Sequence, residues 1–489
     1  MSRIKALWAF GAALCLACNV SAAAIVKFSF TAEAGKYPVG FKVVEQYDHS
    51  RVYRTRTDLV TGQPYSGERS RPVQTLIWYP AAHKGKPMVY RDYFSTLAAE
   101  DNFTLSSSEK TRRTQIQIDD AVRGPRATIA GQEMARPMSA ARDVPAHAAR
   151  FPVVIYAPSF GSAAMENADL CEYLASHGYL VIASPPVGAR SRAMTMDLDG
   201  LEAQAGDIAF LIGYARSLPQ ADTGQVGVIG FSWGGLANVL AAAKDDRIGA
   251  LVSLDGSLRV HTSYIDGSPK AARYVTPARL TAPLLYVAAR PRSLEVLSEM
   301  SFFNSSFSLM NRMKHADTFI MTMHPMSHSD FDAYQLRFLP DTRYSTYSRQ
   351  EAANAYGWTA RYVHRFLDAY LKGDAKAKGF LHNAPVANGV PGHVMSTDIR
   401  RAASTAPTHE SLAAELGKGG FAHAIAAYER IKAREPGFNL TVGAITEWGA
   451  SLRELGRHQD AVQVFKLGAH VHPDKSSVFN GMAEAPPLK

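Results

Sequence analysis

Cysteine is nearly absent, with three in 489 residues, two of which (Cys15 and Cys18) fall in the leading segment. Removal of that segment leaves Cys171 alone, which excludes an internal disulfide framework, so an apolar core must hold the fold together. Long apolar runs are equally scarce. Beyond Ala17 no stretch offers the roughly 20 apolar residues that a membrane-spanning helix needs, so no transmembrane segment is expected in the body of the chain. Charge of one sign is nowhere concentrated. The formal net charge is +9, yet the basic residues are scattered. The densest cluster, KTRRTQ at Lys110–Gln115, is short and lacks interleaved aromatics, which argues against a nucleic-acid partner. Metal-ligand spacing is missing too. HPMSHSD (His324–Asp330) has no second His/Cys cluster to complete it, so neither a metal nor another cofactor is expected.

What is present begins with the leader. Arg3 and Lys5 precede an uncharged apolar run from Ala6 to Ala17, and Val20 and Ala22 suit a small-residue cleavage site. This predicts a secretory signal peptide over residues 1–22 and a periplasmic or secreted product. Lipoprotein anchoring is disfavoured, because Cys15 occupies the position three before Cys18 where leucine is needed. Cleavage removes two cations and takes the formal charge from +9 to +7.

From Phe151 onward short apolar runs alternate with helical patterns. FPVVIYAP, YLVIASPP, QVGVIGF, IGALVSL, APLLYVAA and DTFIMTM read as strands. LCEYLASHG, EAQAGDIAFLIGYARSLP and LANVLAAA read as the helices between them. Continuous apolar strands separated by amphipathic helices predict an α/β fold whose mostly parallel sheet is covered on both faces. VGFKVVEQY and PVQTLIWYPA read as leading, antiparallel strands. Polar stretches at 84–150, 268–280 and 290–316 read as insertions, of the kind that form lids or pocket walls.

The division expected is a main domain over 23–395 and a helical region over 396–489, where strands stop and alanine rises. GGFAHAIAAYERIKAREP (Gly419–Pro436) aligns with GRHQDAVQVFKLGAHVHP (Gly456–Pro473) at an offset of 37. Ala424 matches Ala461, Tyr428 matches Phe465 and Pro436 matches Pro473. The pattern resembles tetratricopeptide repeats, with Trp448, Gly449, Leu452, Ala461, Phe465 and Pro473 at motif positions and Leu412 where the motif prefers glycine. An ordinary helical hairpin is the alternative.

One hexapeptide carries the chemistry. GFSWGG (Gly230–Gly235) fits G-x-S-x-G between a predicted strand and a predicted helix. A serine at such a bend projects its hydroxyl above the sheet, at a helix N-terminus that favours developing negative charge. Ser232 is therefore the candidate nucleophile. A serine hydroxyl needs a base, and the loop after DTFIMTM offers His324 and His328, of which His328 lies in the loop proper. Backbone amides of Trp233, next after the serine, and Phe160, in APSFGSA, are the candidate oxyanion donors. A simple turn at Ser159–Ser162 is the alternative for the latter.

With these residues the chain resembles α/β-hydrolases, in particular secreted platelet-activating factor acetylhydrolase and dienelactone hydrolase-like esterases. The resemblance rests on PSFGSAAMENADLCEYLASHGYLVIAS, GFSWGG, SLDG and SHSDF, across roughly Val39–Leu371. It implies that the triad acid follows the strand after the nucleophile's helix, which is Asp255. Glu295, after the next strand, is the rival, but Asp255 sits directly at a strand end beside Gly256. The serine departs from the cysteine of dienelactone hydrolases proper, and the repeat tail and the 84–150 insertion depart from the acetylhydrolase pattern. The expected function is an exported serine esterase, acting on a small-molecule or lipid-like ester. Phe302, Phe303, Phe307 and Met310 are the candidate substrate-binding wall. A non-catalytic binding protein, a peptidase and a transacylase are the alternatives, with the repeats free to dock a protein partner or a second copy.

Overall fold

Eleven strands form one sheet in the order β11-β10-β9-β8-β7-β5-β6-β2-β1-β4-β3. The computed structural model describes residues 28–123, 127–265, 273–291, 309–339, 343–344 and 346–485. The expected signal peptide, Glu295, Phe302, Phe303 and Phe307 lie outside the described residues. The strands are β1 (Val39–Val52), β2 (Ser70–Pro80), β3 (Pro87–Val89), β4 (Pro137–Arg142), β5 (Phe151–Ala157) and β6 (Leu180–Ala183). β7 (Ala221–Phe231), β8 (Ile248–Leu254), β9 (Leu284–Ala289), β10 (Thr318–Met323) and β11 (Met395–Arg400) complete them. β5 to β10 pair in parallel, and β1 and β2 form the antiparallel leading pair.

The period-two geometry of a strand sends alternate residues to opposite faces, and both faces of this sheet are apolar. Val154 and Tyr156 of β5 and Ile229 and Phe231 of β7 enter one core with α3 (Ala168–Ser176) and the helix Arg349–Leu371. Val153, Ile155, Val226 and Val228 enter the other, with α4 (Leu198–Ala215) and α5 (Trp233–Ala242). Burial on both faces is why the central strands read as unbroken apolar runs. The strand order turns at β5, with β6 on one side and β7 on the other. The crevice beyond the carboxyl ends of strands at such a point is where this class of sheet binds ligands.

Two expectations are refined. The stretch 84–150, read as a polar insertion, is partly integral to the sheet: it supplies β3 and β4, a 3₁₀ segment Tyr90–Ala99, and α1 (Ser107–Ala121) and α2 (Ala127–Met134). α1 buries only Ile118, so its apolar periodicity is too weak to read. Strands also do not stop at residue 395, because β11 pairs antiparallel with β10 at the sheet edge. Its sequence MSTDIR buries Met395 alone, as suits an edge strand.

Beyond β11 come the helices His409–Gly419, Ala424–Arg434, Val442–Glu454, His458–Val471 and Ser476–Glu484. They bury a core of their own in which the offset pairs Ala424/Ala461 and Tyr428/Phe465 all take part. A Cβ on Gly449 would lie 2.4 Å from the Phe465 ring, so that helix pair requires glycine there. Glu435 joins the region to the main domain through Lys314 at 2.8 Å and His315 at 3.2 Å. No described helix is long and apolar enough to cross a membrane.

Candidate active site

At the carboxyl end of β7 the chain turns into α5 within one residue. Ser232 makes that turn at φ 52°, ψ −114°, a left-handed conformation that costs a non-glycine residue on the order of 1–3 kcal/mol. Its surroundings over-determine it. Ser232 N–H donates to Leu254 O at 3.1 Å, and its carbonyl accepts from Ser257 N–H at 2.9 Å and Gly235 N–H at 3.1 Å. The flanking glycines are required by close approach. A Cβ on Gly230 would lie 2.2 Å from Gly234 O, and one on Gly234 would lie 2.0 Å from Ala157 O. The hydroxyl of Ser232 does not cap the helix it opens.

It meets His328 instead, with Nε2 2.9 Å from Oγ. On the ring's other side Nδ1 lies 2.7 Å from Asp255 Oδ2. Asp255 directly follows β8, is itself at φ 40°, and donates its N–H to Val287 O at 2.7 Å. Its second oxygen, Oδ1, accepts from Ala289 N–H at 3.0 Å, which fixes the carboxylate plane. The serine, the histidine and the aspartate expected from the sequence are thus brought into one hydrogen-bonded line. His324 stands apart, its backbone N–H donating to Val394 O.

Two loops are held by residues the sequence reading missed. His328 opens a 3₁₀ turn whose preceding Ser327 gives both N–H and O–H to buried Asp330 Oδ2, each at 2.7 Å. Arg343 Nη2 donates to Asp330 Oδ1 at 2.9 Å. The S-x-x-D spacing at Ser327–Asp330 was the available signal, a capping pattern read only for its histidine. Across the crevice, buried Glu166 accepts from Ser159 N–H (2.9 Å), Ser159 O–H (2.7 Å) and Tyr156 O–H (2.6 Å). Burial pushes the Glu166 carboxyl up, and those donors offset part of that shift. Asn167 next to it donates to Phe331 O at 2.9 Å and accepts from Ala333 N–H at 2.9 Å. Glu166 therefore steadies the loop that carries Phe160, and Asn167 ties it to the loop that carries His328.

Phe160 and Trp233 stand edge to face, their ring centroids 5.7 Å apart. Their backbone N–H groups make no hydrogen bond among the described residues, whereas the adjacent Ser159 N–H is engaged by Glu166. Met310 does not form a pocket wall. It lies 3% exposed in the core on the α4/α5 face, where its short helix Leu309–Arg312 turns both apolar side chains inward. Among the described residues no group of three or more His, Cys, Asp or Glu stands where it could hold a metal.

A twisted, mostly parallel sheet with a serine–histidine–aspartate line at its carboxyl edge is the architecture of an α/β-hydrolase-fold serine hydrolase, of esterase or peptidase type. A family model described as X-Pro dipeptidyl-peptidase (S15 family) matches residues 60–385, and the chain belongs to that family. Among solved structures, a ferulic acid esterase from Streptomyces cinnamoneus aligns with a TM-score of 0.51 at 20% identity, over 76% of this chain and 99% of that one. At that identity the likeness speaks for the fold. No curated protein matches. The resemblance to acetylhydrolase and dienelactone hydrolase-like esterases is met at the level of the α/β-hydrolase fold.

Proposed function

We propose that the chain is an exported serine ester hydrolase working through an acyl-enzyme. The observation that carries this reading is the unbroken line from Ser232 Oγ through His328 to Asp255. His328 Nε2 takes the hydroxyl proton as Ser232 attacks the ester carbonyl. Asp255 holds the Nδ1–H tautomer and balances the imidazolium. The Phe160 and Trp233 amides receive the developing oxyanion, and the proton on Nε2 passes to the departing alcohol. Water, deprotonated by the same imidazole, then releases the acid. The leader residues 1–22 support export, and N-terminal sequencing of a periplasmic or secreted form tests it.

Membership of a peptidase family favours a second reading, removal of dipeptides from a peptide N-terminus, which requires a carboxylate to receive a free ammonium. Among the described residues, the buried carboxylates beside the oxyanion loop are already engaged, Glu166 by three donors and Glu100 by Arg192 at 2.5 Å, and Asp120 stands in an exposed pair with Arg123 at 3.0 Å. That supports the ester reading. A fluorophosphonate should label Ser232 in folded wild-type protein, and failure to label removes both hydrolytic readings in favour of a binding protein. Short p-nitrophenyl esters should then turn over faster than an Xaa-Pro p-nitroanilide, and the reverse ranking would establish the peptidase.

A further inference from the structure

A cleft of about 660 Å³ opens against the oxyanion loop, with Gly161 and Ser162, the residues after Phe160, in its wall. The facing wall comes from the 84–150 stretch, where the 3₁₀ segment contributes Phe94 and Leu97 and α1 contributes Gln117, Asp120 and Ala121. Met165 and Tyr334 close the apolar part, the latter from the helix that follows the His328 turn. The cleft is thus assembled from the loops on both sides of the proposed chemistry together with the 84–150 segment. Its volume lies within the range of small-molecule sites.

Three carboxyl side chains, Glu100, Asp120 and Glu166, and one cation set its character. Arg192 is the sole cation lining the cleft, and its Nε donates to Glu100 Oε2 at 2.5 Å. Arg192 Nη2 also reaches Ser162 O at 3.3 Å, so the pair spans from the 84–150 segment to the oxyanion loop. Glu100 is 6% exposed and the Arg192 side chain 36%, so the pair joins a buried carboxylate to a guanidinium at the mouth of the cleft. A guanidinium left free at this place would recruit anionic groups through strong charge-assisted bonds. Above about pH 7, where Glu100 is ionised, the pair is neutral, and the other titratable groups of the lining are the carboxyls of Asp120 and Glu166, above an apolar floor of Phe94, Leu97 and Met165.

Resting on the esterase reading, we infer that this cleft is the acyl subsite and that it selects uncharged apolar acyl groups of butyryl to benzoyl size, with Glu100 as the residue that excludes anionic ones. The lining leaves no cation for a carboxylate-bearing acyl group, and a buried carboxylate faces it. Transfer of an ionised group into such a site without a partner is strongly unfavourable.

Relative specificity tests this independently of the folded fraction. Wild-type enzyme should prefer p-nitrophenyl butyrate and benzoate over the hemisuccinate by about 100-fold or more in kcat/KM, the scale of an unpartnered polar group in a site. Glu100→Gln releases Arg192 and should narrow the butyrate-to-hemisuccinate ratio by about tenfold, the worth of one charge-assisted bond. Filling the cleft with Leu97→Trp, or Ala121→Trp should the former not fold, should lower the butyrate-to-acetate ratio by about tenfold, chiefly through KM. Ratios within about twofold of wild type in enzyme that still labels at Ser232 would overturn the subsite and leave the esterase standing. A wild type that neither labels nor hydrolyses acetate overturns the esterase reading and the subsite with it.

Discussion

Asp255→Asn probes the hydrogen-bonded line at its most informative point. The native carboxylate gives one oxygen to Ala289 N–H at 3.0 Å and the other to His328 Nδ1 at 2.7 Å. An asparagine of the same shape must keep its carbonyl oxygen on Ala289, because that donor cannot turn away from β9. Its NH₂ then faces Nδ1, and two donors cannot share one bond. The imidazole is driven to the tautomer with the proton on Nε2, where it can no longer accept the Ser232 proton. Loss of the tautomer in a triad of this kind lowers kcat by about 10⁴, or roughly 5 kcal/mol of barrier. The assay is steady-state hydrolysis of p-nitrophenyl acetate, with circular dichroism and a melting curve to show that the variant remains folded. KM should move little, because the acid does not touch substrate. Glu295→Gln, at the rival carboxylate, should change turnover by less than about threefold. A folded Asp255→Asn enzyme with more than about a tenth of wild-type kcat would refute the reasoning.

Three further outcomes follow from the packing. Gly234→Ala places a methyl 2.0 Å from Ala157 O, backbone against backbone, so it should cost about 3 kcal/mol or more and collapse turnover, as urea unfolding and the ester assay will report. Ending the chain after Ala406 keeps β11 and the Ala402–Asp317 contact and should leave turnover near wild type, whereas ending it after Thr397 cuts β11 in half and should abolish soluble protein. Loss of turnover in a folded chain ending at Ala406 would contradict a purely supporting role for the helices beyond it. Burial pushes Glu100 and Glu172 up to about 7, above their unfolded values, so their stabilising contribution is complete at low pH and is lost as pH rises through about 7. His177, held down to about 4, acts in the opposite sense between about 4 and its unfolded value of 6.5 and offsets one of the two carboxyls there. The urea midpoint should therefore fall from about pH 4.5 to about 7 and level off above, and a rise across that window would show that these carboxyls are ionised in the fold.

The central sheet was legible because burial on both faces writes itself as apolar runs. β5 to β10 are such runs, and each stands where periodicity placed it. The elements that escaped are those buried on one side or barely at all. β11 hides only Met395, β4 is a six-residue PMSAAR, and α1 hides only Ile118. Their hydrophobic signal is too thin to separate from a loop, and tertiary pairing supplies what local pattern lacks. α1 did carry a readable start, since Ser106 accepts from Glu109 N–H in the spacing of a helix cap.

The candidate site divides along the same line between local and distant causes. GFSWGG was readable because its serine, its glycines and its helix start fall within six adjacent residues. His328 and Asp255 followed from the ends of strands already recognised. Met310 went astray because an apolar helix turn reads alike whether it faces a cavity or a core, and here it is buried in the core on that face of the sheet. Glu166 and Asn167 left no trace in the sequence, since a buried polar residue is explained only by its partners. Those of Asn167, Phe331 and Ala333, lie more than 160 positions away. The cost of burying such groups unpaired makes their positions as exacting as those of the nucleophile. The nucleophile's bend is thus encoded next to itself, while the alignment of base and oxyanion donors depends on contacts that exist only after the sheet has closed.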